Sequence, residues 1–261
     1  IIIVDNGSED ETPQIAENLC KKYDKVKYER INVRGVGAAF RRGVEVSHGD
    51  VVGYMDIDLS TNIRHLGEAI HLFETQPEIQ YMNGSRFARE SDTRGRKWYR
   101  RITSQGLLIL LKLFLRMKST DAICGFTFVS RETALSLIEG CSRDNGWFYM
   151  IEFLLRAEKR GVKILDYPVE WQEDYNTTVK VFKTICNYLV QIAKPQAVTI
   201  TNIGDAHIGN LGSKENIFRA KCEIFEGLEP GGFAVLNGDD PYLIRLKADE
   251  DKAAKYALTY V

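Results

Sequence analysis

The stretch Gly49-Asp50-Val51-Val52-Gly53-Tyr54-Met55-Asp56-Ile57-Asp58-Leu59-Ser60 most constrains what this chain can fold into. Val51 to Met55 is a short apolar run behind a Gly-Asp turn signal, which reads as a strand covered on both faces. Asp56 and Asp58 follow at its carboxyl end, where open α/β sheets place ligands. In extended chain, residues two apart point the same way. Two like charges so placed repel unless a cation lies between them. Carboxylate oxygens suit Mg²⁺ or Mn²⁺, ions that commonly bridge to substrate phosphates. The plainer reading is a solvated Asp-x-Asp in a loop.

The flanking chain repeats the strand-turn-helix pattern. Ile1 to Val4 is a second apolar strand run, closed by the turn and cap formers Asp5 to Thr12 and then by the periodic Ile15, Ala16 and Leu19. A strand over Val26–Ile31, a helix from Arg34 to about Ser47, a helix over Asn62–Thr75 with Leu66, Ile70 and Phe73 on one face, and a strand over Ile79–Asn83 come next. Trp147–Lys159 reads as a helix, and Val162–Trp171 as a strand whose Pro168 places it at a sheet edge. Alternating β and α elements predict a mostly parallel sheet with right-handed crossovers. At 261 residues the chain is one large domain or two small ones, and its formal charge of −1 gives no bulk field for nucleic acid. The five cysteines are odd in number and contain no CxxC, so they read as reduced thiols.

The pieces Val4–Thr12 (VDNGSEDET), Gly35–Gly43 (GVGAAFRRG), Gly49–Ser60, Asn83–Arg86 (NGSR), Asp121–Phe126 (DAICGF) and Tyr167–Trp171 (YPVEW) resemble the family 2 glycosyltransferases of the GT-A fold. Within that family the chain is most similar to polyprenyl- or dolichyl-phosphate sugar transferases. The resemblance covers roughly residues 1 to 190. It implies an α/β GT-A fold that here lacks its first strand, a nucleotide-sugar donor, a lipid-phosphate acceptor and Mg²⁺ or Mn²⁺. It further implies that Asp58, aided by Asp56, holds the metal and that Asp5 meets the base or ribose. Arg86 and Arg101 (or Arg100) would then hold the acceptor phosphate. Asp121 is the candidate base if the acceptor is instead a hydroxyl. Gly35 opens a small-residue helix start that fits either donor contact or close helix packing. Inversion at the anomeric carbon follows from the same resemblance.

Residues 86–101 carry seven cations against Glu90 and Asp92, and an apolar run, Gly106 to Leu115, lies directly behind. That run is too short to span a bilayer, which takes roughly 20 residues. It suits either a core helix or a membrane surface, and with the resemblance the surface reading is favoured. Thr178–Ile192 reads as an amphipathic helix, a second candidate for that surface. The expected location is cytoplasmic, peripheral on the inner face of the plasma membrane.

At Lys194-Pro195 the pattern changes. Residues 194 to about 245 resemble the Mur ligases of peptidoglycan synthesis, nearest to the one that adds D-alanyl-D-alanine. That resemblance makes His207 a metal ligand and Lys221 the lysine that is carbamylated beside a second metal. No GxxxxGK[ST] loop is present in the sequence. The expected division is therefore residues 1–193, a transferase domain, and 194–261, a ligase fragment without its own activity. An ATP-dependent ligase and a non-catalytic membrane-surface module are the rival readings.

Overall fold

A computed structural model of the chain describes residues 1–93, 95, 98–172, 195–204 and 213–261. It divides into two compact units, Ile1–Thr177 and Thr178–Val261. The helix expected over Thr178–Ile192, together with Cys186 and His207, lies outside the described residues.

In the first unit, β1 (Ile2–Asp5) pairs in parallel with β2 (Lys27–Arg30). Between them runs α1 (Thr12–Lys22), with Pro13 in its first turn, where a missing N–H costs nothing. A four-stranded sheet holds β3 (Val51–Met55), β4 (Tyr81–Ser85), β5 (Phe126–Ser130) and β6 (Ile164–Pro168) in the order β3-β5-β4-β6. Strand β6 pairs in parallel with β4 and lies at the edge its proline predicts. Strand β5 is antiparallel to both of its neighbours, a reversal the alternating pattern does not announce. Helices α2 (Val36–Val46), α3 (Arg64–Thr75), α4 (Trp98–Leu115), α5 (Arg131–Gly140) and α6 (Phe148–Lys159) flank these strands.

The core follows β4 and α6: Tyr81, Met82, Phe126, Tyr149, Ile151 and Phe153 are all buried. Burial corrects two expectations. Strand β3 is not covered on both faces: Val51 and Gly53 are exposed, and among the described residues it is an edge strand paired with β5. Helix α3 turns His65 and Ala69 inward, with Leu66, Leu72 and Phe73 partly buried beside them, while Ile70 faces out.

The second unit carries a parallel three-stranded sheet, β7 (Ala197–Ile200), β8 (Phe233–Leu236) and β9 (Ala257–Tyr260), in the order β7-β8-β9. Helix α7 (Lys214–Cys222) starts at Ser213, whose hydroxyl accepts from Asn216 N at 3.1 Å, as an N-cap does. Helix α8 (Glu250–Lys255) is capped in the same way by Asp249. Val198, Ile200, Ile217, Phe225, Leu236 and Leu243 form the core of this unit.

Candidate active site

The site is built where β3 ends. The Asp56 backbone N–H donates to Gly125 O at 3.0 Å, just ahead of β5, which fixes the start of the turn. The Tyr54 hydroxyl, two residues back on the same side of the strand, donates to Asp56 Oδ1 at 2.6 Å. Gly125 must be glycine: a Cβ there would lie 1.8 Å from Asp56 Oδ2. Asp56 is thus oriented from two sides. Asp58 is exposed, and its Oδ1 accepts from Ser60 N at 2.9 Å. Leu59 between them has φ +54°, a left-handed conformation uncommon for a bulky side chain and typical of strain kept at functional sites. Burial raises the Asp56 pKa and the Asp58 charge adds to it, while the Tyr54 hydrogen bond and Arg86 oppose. The pair therefore carries negative charge that the surrounding protein does not fully compensate. Among the described residues no cluster of three or more His, Cys, Asp or Glu could hold a metal. Two carboxylates alone fit a hard cation that completes its shell with water and phosphate oxygens.

A cleft of about 490 Å³ opens beside this turn, lined by Leu59, Ser60, Ile63, Asp92, Glu170 and Trp171. One wall is held by a network that sequence reasoning missed. His65 Nε2 accepts from Glu170 N at 2.9 Å, so Nδ1 carries the proton and donates to Glu68. Tyr167 OH also donates to Glu68, at 2.7 Å. The i, i+3 spacing of His65 and Glu68 on a helix was the available signal.

Arg86 and Asp121 come together, but as a buried ion pair. Arg86 Nε and Nη2 donate to the two Asp121 oxygens at 2.7 and 2.9 Å, and Arg86 N adds a third bond at 3.1 Å. The Asp121 side chain has no solvent exposure, and the guanidinium lies 5.4 Å from the Trp171 ring centroid. Burial pushes the Asp121 pKa up, but the Arg86 charge and hydrogen bonds outweigh it and the net shift is downward. Two expectations are corrected on this geometry. Asp121 is not exposed as a base, and the Arg86 fork is already spent on a carboxylate. Arg101, on α4, is exposed.

The expected donor contacts also have structural tasks. Asp5 Oδ1 accepts from Gly7 N at 3.1 Å and Ser8 N at 2.7 Å, and Oδ2 accepts from Tyr28 OH at 2.8 Å. Burial opposes ionisation, but these bonds and the Arg30 charge hold the Asp5 pKa at about 2. The carboxylate thus shapes the turn. Gly35 has φ +130°, and a Cβ there would lie 2.0 Å from Asn145 O, so the close approach of this loop requires glycine. Arg41 closes the same contact by donating to Asp144 O and Asn145 Oδ1.

In the second unit Lys221 Nζ donates to Asn202 O at 2.7 Å. Asp240 is the organising carboxylate there, accepting from Ile203 N at 2.6 Å, Tyr242 N at 2.9 Å and Leu243 N at 3.1 Å.

The family model described as glycosyl transferase family 2 matches residues 1–136, and the Mur ligase middle domain matches residues 179–261. Glycosyltransferase AglD of Haloferax volcanii is 34% identical over 197 residues, covering 74% of this chain and 31% of that protein. Dolichyl-phosphate beta-glucosyltransferase of Mus musculus is 30% identical over 181 residues, covering 66% of this chain and 56% of that protein. The chain thus spans between about a third and just over half of the length of these curated relatives. Among solved structures, glucosyl-3-phosphoglycerate synthase from Mycobacterium tuberculosis with phosphoglyceric acid matches at TM-score 0.56 and 18% identity, over 72% of this chain and 66% of that one. Its complex with Mn²⁺, uridine-diphosphate and glucosyl-3-phosphoglycerate matches at TM-score 0.54, 18% identity and the same coverage. At such identities the likeness is one of fold.

Proposed function

The chain belongs to glycosyl transferase family 2, and on that premise we propose that residues 1–193 move a sugar from a nucleotide-sugar to a polyprenyl or dolichyl phosphate, or a related cell-envelope acceptor. The observation that carries this reading is the oriented Asp56 beside the exposed Asp58 at the carboxyl end of β3. The dolichyl-phosphate acceptor in the name of the Mus musculus relative supports the acceptor class.

Asp58 and Asp56 would hold Mg²⁺ or Mn²⁺, which offsets the charge developing on the leaving diphosphate. The complex of the Mycobacterium tuberculosis enzyme with Mn²⁺ and uridine-diphosphate supports a divalent ion. A phosphate acceptor is already ionised and needs no strong base, which agrees with an Asp121 locked to Arg86. Arg101, with Arg100 as the alternative, is left to meet the acceptor phosphate. Asp121 positions Arg86, and Arg86 stacks toward Trp171 on the cleft wall. Asp5 and Gly35 act on the donor side through the turns they hold. Inversion at the anomeric carbon belongs to the same reading, as does a peripheral place on the inner face of the plasma membrane. No described helix is long and apolar enough to cross a membrane.

Binding of UDP- and GDP-sugars with and without Mn²⁺, measured by calorimetry, tests the transferase reading. Absence of any metal-dependent binding would refute it. We assign residues 194–261 no part in that chemistry. Deleting residues 196–261 is expected to leave nucleotide-sugar affinity unchanged, and ATP hydrolysis by the intact chain would revive the ligase reading.

A further inference from the structure

The cleft beside the Asp56–Asp58 turn has a chemistry that the metal pair does not use. Its volume of about 490 Å³ lies within the range of about 300–1,000 Å³ typical of small-molecule sites. Among the described residues its lining holds Trp171, the carboxylates Asp92 and Glu170, and the amides Asn62 and Gln172, and no cation. Such a lining offers one aromatic face and many acceptors. It repels phosphate. It suits a neutral, hydroxyl-rich ligand, whose O–H groups donate to carboxylates and whose C–H groups pack on an indole.

Glu170 and Trp171 are both fixed from behind. Glu170 N donates to His65 Nε2 at 2.9 Å, and Glu170 O accepts from Asn62 N at 3.0 Å. Glu170 Oε2 accepts from Asn62 Nδ2 at 2.8 Å, with Arg64 Nη2 at 3.2 Å. Oε1 has no partner among the described residues, and the side chain is 39% exposed. Trp171 N donates to Asp92 O at 2.8 Å, and Arg86, itself locked to Asp121, lies 5.4 Å from the indole centroid. Groups oriented before a ligand arrives lose less entropy when they bind it. Position narrows the ligand further. Gln172 N donates to Ser60 O at 2.8 Å, and Ser60 N donates to Asp58 Oδ1 at 2.9 Å, so the cleft wall is tied directly to the proposed metal ligand. A ligand here would be joined to a diphosphate on that metal. Of the two groups a nucleotide-sugar carries there, the nucleoside and the sugar, the sugar is the one with hydroxyls all round its ring.

We propose that this cleft is the subsite that reads the donor sugar. The Trp171 indole packs on one face of a pyranose ring, and the Glu170 carboxylate accepts from its hydroxyls. His65 and Asn62 are positioning residues that hold Glu170 in place. This deepens the transferase reading and rests on it.

The test uses the full chain with Mn²⁺ and compares, by calorimetry, UDP-glucose with UDP and GDP-mannose with GDP. Glu170→Gln should weaken the preferred nucleotide-sugar about 10-fold or more, because a hydrogen bond to a charged group is lost. It should leave the matching nucleoside diphosphate, the circular dichroism spectrum and the melting temperature unchanged. Trp171→Leu should weaken the same nucleotide-sugar and again spare the diphosphate. Where Trp171→Leu fails to fold, Glu170→Gln alone decides. Equal losses for the nucleotide-sugar and its diphosphate would overturn the proposal, since the cleft would then serve the nucleoside or merely support the metal turn. Intact nucleotide-sugar binding that ignores both variants overturns the subsite alone and leaves the transferase reading standing. Metal-dependent binding of the diphosphates with no binding of either nucleotide-sugar would overturn the subsite and that reading together.

Discussion

Two carboxylate sites in the first unit solve opposite electrostatic problems. Asp121 is wholly buried, yet Arg86 meets it with a forked pair of hydrogen bonds, so the interior carries no net charge there. Asp56 is only partly buried, yet its nearest ionised neighbour in sequence is another carboxylate. Relative to their ordinary values, the Asp121 pKa moves down and the Asp56 pKa moves up. The contrast teaches that burial alone does not mark a functional acid. A compensated carboxylate is part of the scaffold, and an uncompensated one at a strand end is where the proposed cation would sit.

The largest effect should come from breaking the compensated site. Asp121→Asn leaves the Arg86 charge buried without its partner, which costs about 3–5 kcal/mol. Urea unfolding followed by amide exchange in β4 and β5 measures this. The pairing account also predicts partial recovery in the double change Arg86→Met with Asp121→Leu. If the double variant is no more stable than Asp121→Asn, the pair is not what the residues contribute.

Breaking the uncompensated site should spare the fold and remove the ligand. Asp58→Asn takes away an exposed carboxylate, so stability should stay within about 0.5 kcal/mol. Loss of residues that merely orient metal ligands costs about 10–100-fold in affinity, so loss of a direct ligand should cost about 100-fold or more in Mn²⁺-dependent nucleotide-sugar binding. Calorimetry and a thermal melt on the same sample read both quantities. A large fall in melting temperature with metal binding retained would invert the comparison.

How much of this was readable beforehand depends on the range of the interaction. The end of β3 and the Asp56-x-Asp58 spacing are local, and the expected strand over Val51–Met55 coincides with the observed one. The edge position of β6 was equally local, carried by Pro168. The reversal of β5 was not, because strand direction depends on partners distant in sequence. The Arg86–Asp121 pair joins residues 35 apart, and each looked like an independent ligand group in isolation. Gly125 was a partial clue to the site, since its crowding against Asp56 needs the fold to be seen. The exposure of β3 was misread because an apolar run states what a strand would bury and not what covers it.

The finest test separates the forces on Asp56 itself. The Tyr54 hydroxyl stabilises the ionised form by donating to Oδ1, and the Asp58 charge destabilises it. Titration of the Asp56 carboxyl by carbon NMR, without metal, should therefore move in opposite directions in two variants. Tyr54→Phe removes the donor and should raise the pKa further. Asp58→Asn removes the like charge and should lower it toward the ordinary carboxylate value. The sign for stability follows. A raised folded-state pKa favours the fold most below the unfolded value of about 3.9, and that advantage is lost as pH climbs through the raised value. Asp121 has the reverse sign: its contribution is present above the ordinary carboxylate range and is lost as pH falls through its lowered pKa. On the proposed role of Asp56 as a metal ligand, Mn²⁺ affinity should begin to fall on acidification at a higher pH than an unperturbed aspartate would give. In Tyr54→Phe that fall should start higher still. Shifts of the same sign in both variants would mean that Tyr54 acts by packing and not by its hydrogen bond, and the orientation of Asp56 would then rest on Gly125 alone.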